Sequence, residues 1–253
     1  PGKEGNRVSP KTASDYSSKR CGVANRIFWG LSGLFVAVNV AIFVIGPSCN
    51  LLSSPEICNY PCQHGCEVAL TLLRNGALVD FYDPTEAYVT WPPGWGLILT
   101  PFVWASGESS VLGGVIVNLL LLYLSGFLAR LAIDGDIPGY GNWVFAFVLF
   151  NPNALGLAHT VREDTAFAAM IGFAFVGLIF YLREPTFRRI LIVGALLGAS
   201  LLMRSTSQYL VLLLPLILVA SLSLVRPAGW PVRPALHGAA AAILAAAIVS
   251  PWV

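Results

Sequence analysis

Two arginines and two carboxylates stand in short polar interruptions of an otherwise apolar sequence. One interruption contains Arg162, Glu163 and Asp164 in succession, and Arg204 forms the other, between two apolar runs. An arginine can bind a phosphate through two parallel hydrogen bonds, and a carboxylate can act as a general base or hold a metal ion. Ionisable residues at membrane depth are costly, so these four residues form a functional-site hypothesis. The alternative for the arginines is that they only extend to the lipid headgroups.

Membrane-spanning helices must position these residues. Of the 253 residues, 56% are hydrophobic and only 11% are charged, whereas about a quarter of an average soluble chain is charged. Apolar runs of about 20 residues are typical of bilayer-spanning helices. The composition therefore predicts an all-α, polytopic membrane helical bundle in contact with membrane lipids. No nucleotide-binding glycine pattern and no basic nucleic-acid stripe occurs in the sequence, so a nucleic-acid partner is not expected.

Charged residues and Pro/Gly positions divide the apolar sequence into about seven predicted spans. These are 27–46, 110–129, 143–158, 165–182, 190–203, 206–225 and 235–253. Residues 190–225 contain one charge, Arg204; as a single helix they would reach about 54 Å, far beyond a bilayer core of roughly 30 Å. The chain is therefore expected to turn near Arg204. The segment 93–105 is too short to span and is predicted to be a re-entrant or interfacial helix.

The basic residues set the predicted orientation. With the N-terminus in the cytoplasm, all but three of the 15 basic residues are cytoplasmic, as the positive-inside rule requires. The three external ones are Arg74, Arg162 and Arg204. Residues 1–26 are polar and are predicted to form a disordered cytoplasmic tail, followed by a transmembrane domain over 27–253. Because the sequence begins at Pro1 and stops within an apolar run, it is expected to be an N-terminal fragment.

Residues 47–109 form a large predicted external loop with juxtamembrane helices. The loop contains a single arginine, Arg74, and is rich in acidic residues, which are Glu56, Glu67, Asp80, Asp83, Glu86 and Glu108. A short amphipathic helix on the membrane surface is predicted to run from Glu67 to the Asn75-Gly76 stop signal. Long loops are usually functional, and the alternative is a solvated acidic face.

Four of the five cysteines also lie in this loop. Cys49, Cys58, Cys62 and Cys66 indicate up to two disulfides on an oxidising external face. The competing interpretation is a metal site built from the last three of these cysteines and His64. Pro61 disfavours the helix that such a site would need, which favours disulfides.

The order of these parts resembles the GT-C superfamily of membrane glycosyltransferases, which includes the protein O-mannosyltransferases and the lipid A aminoarabinose transferases. The family shares a first span, a long external loop with juxtamembrane helices and a Pro-Pro-Gly segment. The resemblance covers roughly residues 27–225. The matching pieces are Ala69–Gly76, Trp91–Pro101, Asn151–Pro152, Arg162–Asp164 and Gly198–Thr206.

The resemblance implies an inverting transferase that moves a sugar from a polyprenyl-phosphate donor to a glycan, lipid or protein acceptor. Arg204 matches the position that binds the donor phosphate, and a carboxylate would act as base or organise a divalent metal ion. The catalytic candidates are Glu67, Asp83, Glu163 and Asp164. The substrate-binding candidates are Arg162, Arg204, Asp80 and His159.

One departure from the family leaves alternatives open. The family has an Asp early in the first loop, but the stretch Asn59–Glu67 contains none. Three alternatives follow. A nearby glutamate takes the place of this Asp, or Asp80 or Asp83 takes its role, or the protein is a non-catalytic subunit of a membrane complex. The other alternative is a transporter or flippase. Two features argue against it: the sequence shows no internal repeat, and the spans contain few charges.

Overall fold

A computed structural model describes residues 10–45, 63–80, 83, 85–86, 92–106, 111–225 and 232–252. Every regular element within these residues is a helix. The helices are α1 (Pro10–Ile45), α2 (Gln63–Asn75), α3 (Gly94–Ser106), α4 (Val111–Asp136), α5 (Gly141–Leu149), α6 (Pro152–Ala158), α7 (Glu163–Arg183), α8 (Phe187–Met203), α9 (Gln208–Val225) and α10 (Val232–Val249), with a 3₁₀ turn over Ser205–Ser207.

The predicted helical bundle is confirmed, with three helices long and apolar enough to cross a bilayer in the described part of the chain. These stretches are Gly22–Ile45 of α1, Leu112–Asp136 of α4 and Glu163–Arg183 of α7. The remaining apolar helices are shorter. The turn expected near Arg204 is also confirmed, because this residue is extended (φ −156°, ψ 125°) between α8 and the 3₁₀ turn.

The span predicted over 143–158 is not one continuous helix, because two short helices, α5 and α6, cover this segment. Pro152 occupies the first turn of α6, and a residue before proline avoids the helical conformation. Asn151 accordingly has φ −66° and ψ 118°, and its side chain accepts hydrogen bonds from the backbone N–H groups of Asn153 and Ala154. The helix therefore stops and restarts at Asn151.

The N-terminal tail also differs from expectation, because α1 begins at Pro10 and residues 10–26 are helical instead of disordered. Proline is well tolerated at the first position of a helix. No further proline or glycine occurs before Gly22, and extending an existing helix is much easier than starting one. Residues 1–9 lie outside the described part.

Among the side chains that the structure describes, three polar contacts join α1 to the rest of the bundle. Ser32 Oγ lies 3.0 Å from the Tyr123 hydroxyl of α4. Asn39 Oδ1 lies 2.9 Å from Nε2 of His159. Near the start of the apolar stretch Gly22–Ile45 of α1, the side-chain amide of Asn142 in α5 donates to the backbone carbonyl of residue 24 (3.0 Å). The lateral position of α1 is therefore fixed by hydrogen bonds at three levels.

The described helices pack around three apolar cores. The first joins α7, α8, α9 and α10 around Tyr181 and Ile190. The second joins α2, α3, α4, the start of α7 and the end of α8 around Trp95 and Leu99. The third joins α1, α4, α5 and α6 around Phe145. Helix α4 contributes to the last two cores and therefore connects the two sides of the bundle.

Helices α3 and α8 approach closely at Gly94. A Cβ atom at this position would lie 2.6 Å from the backbone carbonyl oxygen of Leu202. The predicted surface helix α2 ends as expected at Asn75, followed by Gly76 with φ +66°, a left-handed conformation that favours glycine. Helices α2 and α3 share the second core with the start of α7 and the end of α8. The charged residues lie at these same ends of α7 and α8.

Candidate functional site

Arg162, Asp164 and Arg204 come together at one end of the bundle, and we call them the charged cluster. Arg204 Nη1 donates to Asp164 Oδ1 at 2.5 Å, and Arg162 Nε lies 3.7 Å from Asp164 Oδ2. Asp164 is in the first turn of α7, and Arg204 directly follows α8. The antiparallel packing of α7 and α8 thus joins residues 40 positions apart.

The charged cluster is open to solvent on its arginine side. The side chain of Asp164 is 20% exposed, whereas those of Arg204 and Arg162 are 48% and 66% exposed. A guanidinium carries five N–H donors, and the bond to Asp164 uses one of those of Arg204. The two arginines and the one carboxylate of the cluster carry a net charge of +1, and Glu163 beside the cluster brings the local sum to zero. The exposed N–H groups of the two arginines remain able to donate hydrogen bonds to an anion such as a phosphate.

Two side chains from other helices hold the turn that carries the cluster. Asn118 of α4 is fully buried, and its Nδ2 donates to the carbonyls of Thr160 (2.8 Å) and Arg162 (3.4 Å). Trp95 Nε1 of α3 donates to the Val161 carbonyl at 3.3 Å. Three consecutive carbonyls of the turn thus accept bonds from α3 and α4. Sequence reasoning missed Asn118, because a single asparagine in an apolar run has no diagnostic spacing.

Replacing Asn118 with leucine is expected to destabilise the protein by about 1–3 kcal/mol. Leucine keeps the size of the side chain but leaves the part-buried carbonyls of Thr160 and Arg162 without their donor, and a carbonyl that loses its donor away from water is costly. The thermal unfolding midpoint in detergent measures the effect. Asn153→Leu, at an exposed position of α6, is the control. Equal midpoints for the two variants would contradict the role of Asn118.

The predicted glutamates occupy different elements. Glu163 is the first residue of α7 and is partly exposed beside the charged cluster; no ion pair of Glu163 occurs within the described residues. Glu67 lies in α2 and is also partly exposed. Its helix packs, through Ala69, into the same core as Val161. Both carboxylates thus belong to elements that meet around the second core.

Asp80 and Asp83 lie together in the segment that follows α2. Asp80 Oδ1 accepts a bond from the Asp83 backbone N–H (3.1 Å). Asp83 Oδ1 accepts from the Thr85 hydroxyl (2.6 Å) and the Thr85 backbone N–H (3.0 Å). The Thr85 hydroxyl, and then the Thr85 backbone N–H, hold the pKa of Asp83 below the usual 3.8. Asp83 therefore stays ionised, and a carboxylate of lowered pKa is a poorer base.

His159, a predicted substrate-binding residue, points into the protein. It is only 5% exposed, and its Nε2 lies 2.9 Å from Asn39 Oδ1 of α1. The backbone N–H of His159 ends α6 by donating to the carbonyls of Leu155 and Leu157. Its imidazole therefore connects α1 to the turn before α7, a contact that sequence spacing cannot reveal.

Cys66 is disulfide-bonded, which agrees with the predicted disulfides and disagrees with a metal site that uses this thiol. Cys49, Cys58 and Cys62 lie outside the described residues, as does the side chain of His64. Among the described side chains, no group of three or more His, Cys, Asp or Glu residues could hold a metal ion. We therefore assign no metal ligand.

Comparison of the chain with protein-family models, with curated proteins and with solved structures finds no match in any of the three.

Proposed function

We propose that this chain is a membrane glycosyltransferase that moves a sugar from a polyprenyl-phosphate donor to an acceptor at the external membrane face. The observation that carries the proposal is the charged cluster, in which two exposed arginines converge on one carboxylate. A site with exposed guanidinium groups at the end of an apolar helical bundle suits a substrate with a phosphate head and a hydrocarbon chain. The sequence resemblance to the GT-C superfamily points to the same chemistry.

In this proposal Arg204 binds the donor phosphate, and Arg162 adds a second positive charge. The oxygen of the acceptor hydroxyl attacks the anomeric carbon while the bond from that carbon to the phosphate oxygen breaks. The phosphate leaves with the bonding electron pair, so its negative charge grows, and fixed positive groups stabilise such a charge. Asp164 positions Arg204 through their 2.5 Å hydrogen bond.

The general base is proposed to be Glu163, which takes the proton of the acceptor hydroxyl. Asp164 is already engaged with both arginines, and the lowered pKa of Asp83 makes it a weaker base. Glu163 adjoins the charged cluster in sequence and in the first turn of α7. Glu67, on α2, is the second candidate for the base.

The proposed topology has about seven spans, a cytoplasmic N-terminus and an external charged cluster. Helices α5 and α6 together form one of these spans, despite the break at Asn151. Support comes from the opposite ends of α7 and α8, which carry Arg183 and Arg188. This end of the bundle is the cytoplasmic one by the positive-inside rule.

Replacing Glu163 with glutamine is expected to lower the rate of transfer by about 10²–10⁴-fold, the usual worth of a general base. Binding of the donor should be retained, because glutamine leaves both arginines in place. The assay offers radiolabelled polyprenyl-phosphate sugars to the protein in nanodiscs. Glu67→Gln tests the second candidate, and Glu184→Gln, an exposed position at the other end of α7, is the matched control.

The same assay can overturn the function itself. If the wild type consumes no donor and releases no sugar-containing product, the transferase proposal is wrong. Flux of an intact lipid-linked sugar across proteoliposomes, with no covalent product, would then support a flippase. If transfer occurs and both glutamine variants keep the wild-type rate, only the assignment of the base is wrong.

A further inference from the structure

Helix α5 ends beside the middle of α4. The apolar stretch of α4 is Leu112–Asp136, and Leu124 is its middle residue. Two positions further along α4, a Cβ atom at Gly126 would lie 3.3 Å from Cδ2 of Leu149, the last residue of α5. In a bilayer that α4 crosses, the break between α5 and α6 therefore lies near the middle of the membrane.

The break leaves backbone carbonyls without donors at this depth. In a continuous helix the carbonyls of Phe147 and Val148 would accept from the N–H groups four positions later. Pro152 has no N–H group, and the last bond of α5 runs from the Phe150 N–H to the Ala146 carbonyl. Within the described ranges, no donor reaches the carbonyls of Phe147 and Val148. Backbone polar groups in a bilayer must be satisfied, because hydrocarbon cannot form hydrogen bonds.

Asn151, in the break itself, adds a side-chain amide with unused donors. Its Oδ1 accepts from the backbone N–H groups of Asn153 and Ala154. Its Nδ2 carries two N–H groups, and none of the residues that the structure describes accepts a bond from them. An amide that enters hydrocarbon without a hydrogen bond is unfavourable. The break therefore needs a ligand that both donates and accepts hydrogen bonds, as water does.

A groove with a volume of about 410 Å³ runs along the break, between α4, α5, α6 and α7. Phe147, Val148 and Asn151 line it on one side, and Ser125 of α4 lines it on another. One end of the groove reaches Asp164, whose side chain is 20% exposed in the charged cluster. The volume is far above the roughly 10–15 Å³ that a single water molecule requires. The groove thus connects the exposed end of the bundle with the unpaired groups at mid-membrane.

We infer that this groove is a water-filled crevice that runs from Asp164 to the break at Asn151. Its water bonds to the carbonyls of Phe147 and Val148 and to Nδ2 of Asn151. Non-helical backbone at membrane depth is tolerated where it lines a water-filled cavity. The competing occupant is lipid hydrocarbon, which can neither donate nor accept a hydrogen bond. The inference is independent of the proposed function, because it concerns the backbone at the break and not the substrate of the charged cluster.

Cysteine labelling in nanodiscs measures whether water reaches the middle of the groove. Ser125→Cys places a thiol on the groove wall. Leu124→Cys is the matched control, because Leu124 is at the same depth and 43% exposed but lies outside the groove lining. The probe is a charged methanethiosulfonate reagent, which reacts with the thiolate. Because a thiol in hydrocarbon does not ionise, Ser125→Cys is expected to react at least about tenfold faster than Leu124→Cys. The wild-type rate is subtracted to remove the reaction of the native cysteines.

Two further variants test the opposite wall and the entrance of the crevice. Val148→Cys is expected to react as fast as Ser125→Cys, because both residues line the groove. Ala168 lines the groove one helical turn from Asp164. Ala168→Trp, added to Ser125→Cys, is therefore expected to slow labelling to the rate of the lipid-facing control. Ala37→Trp, at an exposed position of α1, should leave labelling unchanged.

Unfolding midpoints show that each labelled variant is folded before its rate is compared. Equally slow labelling of Ser125→Cys, Val148→Cys and Leu124→Cys would overturn the inference and assign the groove to lipid chains. Fast labelling of Ser125→Cys that Ala168→Trp does not slow would overturn the entry of water from the Asp164 end.

Discussion

Replacing Arg204 with alanine is expected to lower the rate of sugar transfer at least about a hundredfold, the cost of removing one donor to a developing negative charge. The guanidinium of Arg204 is the proposed ligand of the donor phosphate, and its loss also leaves Asp164 without its 2.5 Å partner. Donor affinity should fall together with turnover. Arg204→Lys keeps the positive charge but cannot form a bidentate pair of hydrogen bonds with the phosphate. Its rate of transfer should therefore lie between those of the wild type and Arg204→Ala.

The control for Arg204→Ala is Arg188→Ala. Arg188 is exposed in the first turn of α8, while Arg204 follows the last turn, so the two arginines are separated by the length of one helix, about 25 Å. Transfer kinetics and donor binding are measured for both variants, with unfolding midpoints to show that each is folded. A folded Arg204→Ala protein with wild-type kinetics would remove Arg204 from the proposed site.

Replacing Gly94 with valine is expected to have the largest effect on stability, a loss of about 3 kcal/mol. The new Cβ would lie 2.6 Å from the carbonyl oxygen of Leu202 and 2.7 Å from its carbonyl carbon. These are backbone atoms, so no side-chain rotation relieves the overlap, and α3 must move away from α8. Trp95 would move with α3 and lose its bond to Val161.

Thermal unfolding in detergent and transfer activity together test this expectation. Gly30→Val is the control, because a Cβ at Gly30 of α1 meets no atom within 4 Å and the residue is also helical. Gly94→Val should unfold at a lower temperature and lose transfer activity even where it remains folded. An unchanged midpoint would mean that α3 and α8 are not in such close contact.

The charged cluster illustrates what the sequence can predict. Counting spans predicted that Arg162, Asp164 and Arg204 lie on one side of the membrane, and the structure brings them together at one end of the bundle. The excess length of residues 190–225 predicted the turn at Arg204, which the structure confirms. Both arguments depend only on helix length and charge. The pairing of Asp164 with both arginines needed the structure, because spacing along the chain does not show which of two neighbouring carboxylates faces the arginines.

The features that sequence reasoning missed depend on packing between distant segments. Asn118 and Trp95 hold the turn over residues 160–162, but neither residue has a pattern that separates it from an ordinary asparagine or tryptophan in an apolar helix. The break at Asn151 did leave a signal, a helix-capping residue before a proline. Continuous hydropathy across residues 143–158 obscured that signal.

The contacts of α1 are with segments that are made later in translation, so α1 must wait for its partners. Asn39 is made 120 residues before His159, its partner, which corresponds to roughly 6–24 s of translation at about 5–20 residues per second. During this wait the donor groups of Ser32 and Asn39 are bonded within their own helix. Ser32 Oγ donates to the carbonyl of residue 28 (2.9 Å), and Asn39 Nδ2 donates to that of residue 35 (2.7 Å). The first helix can therefore enter the membrane alone and dock only when the later ones have emerged from the ribosome.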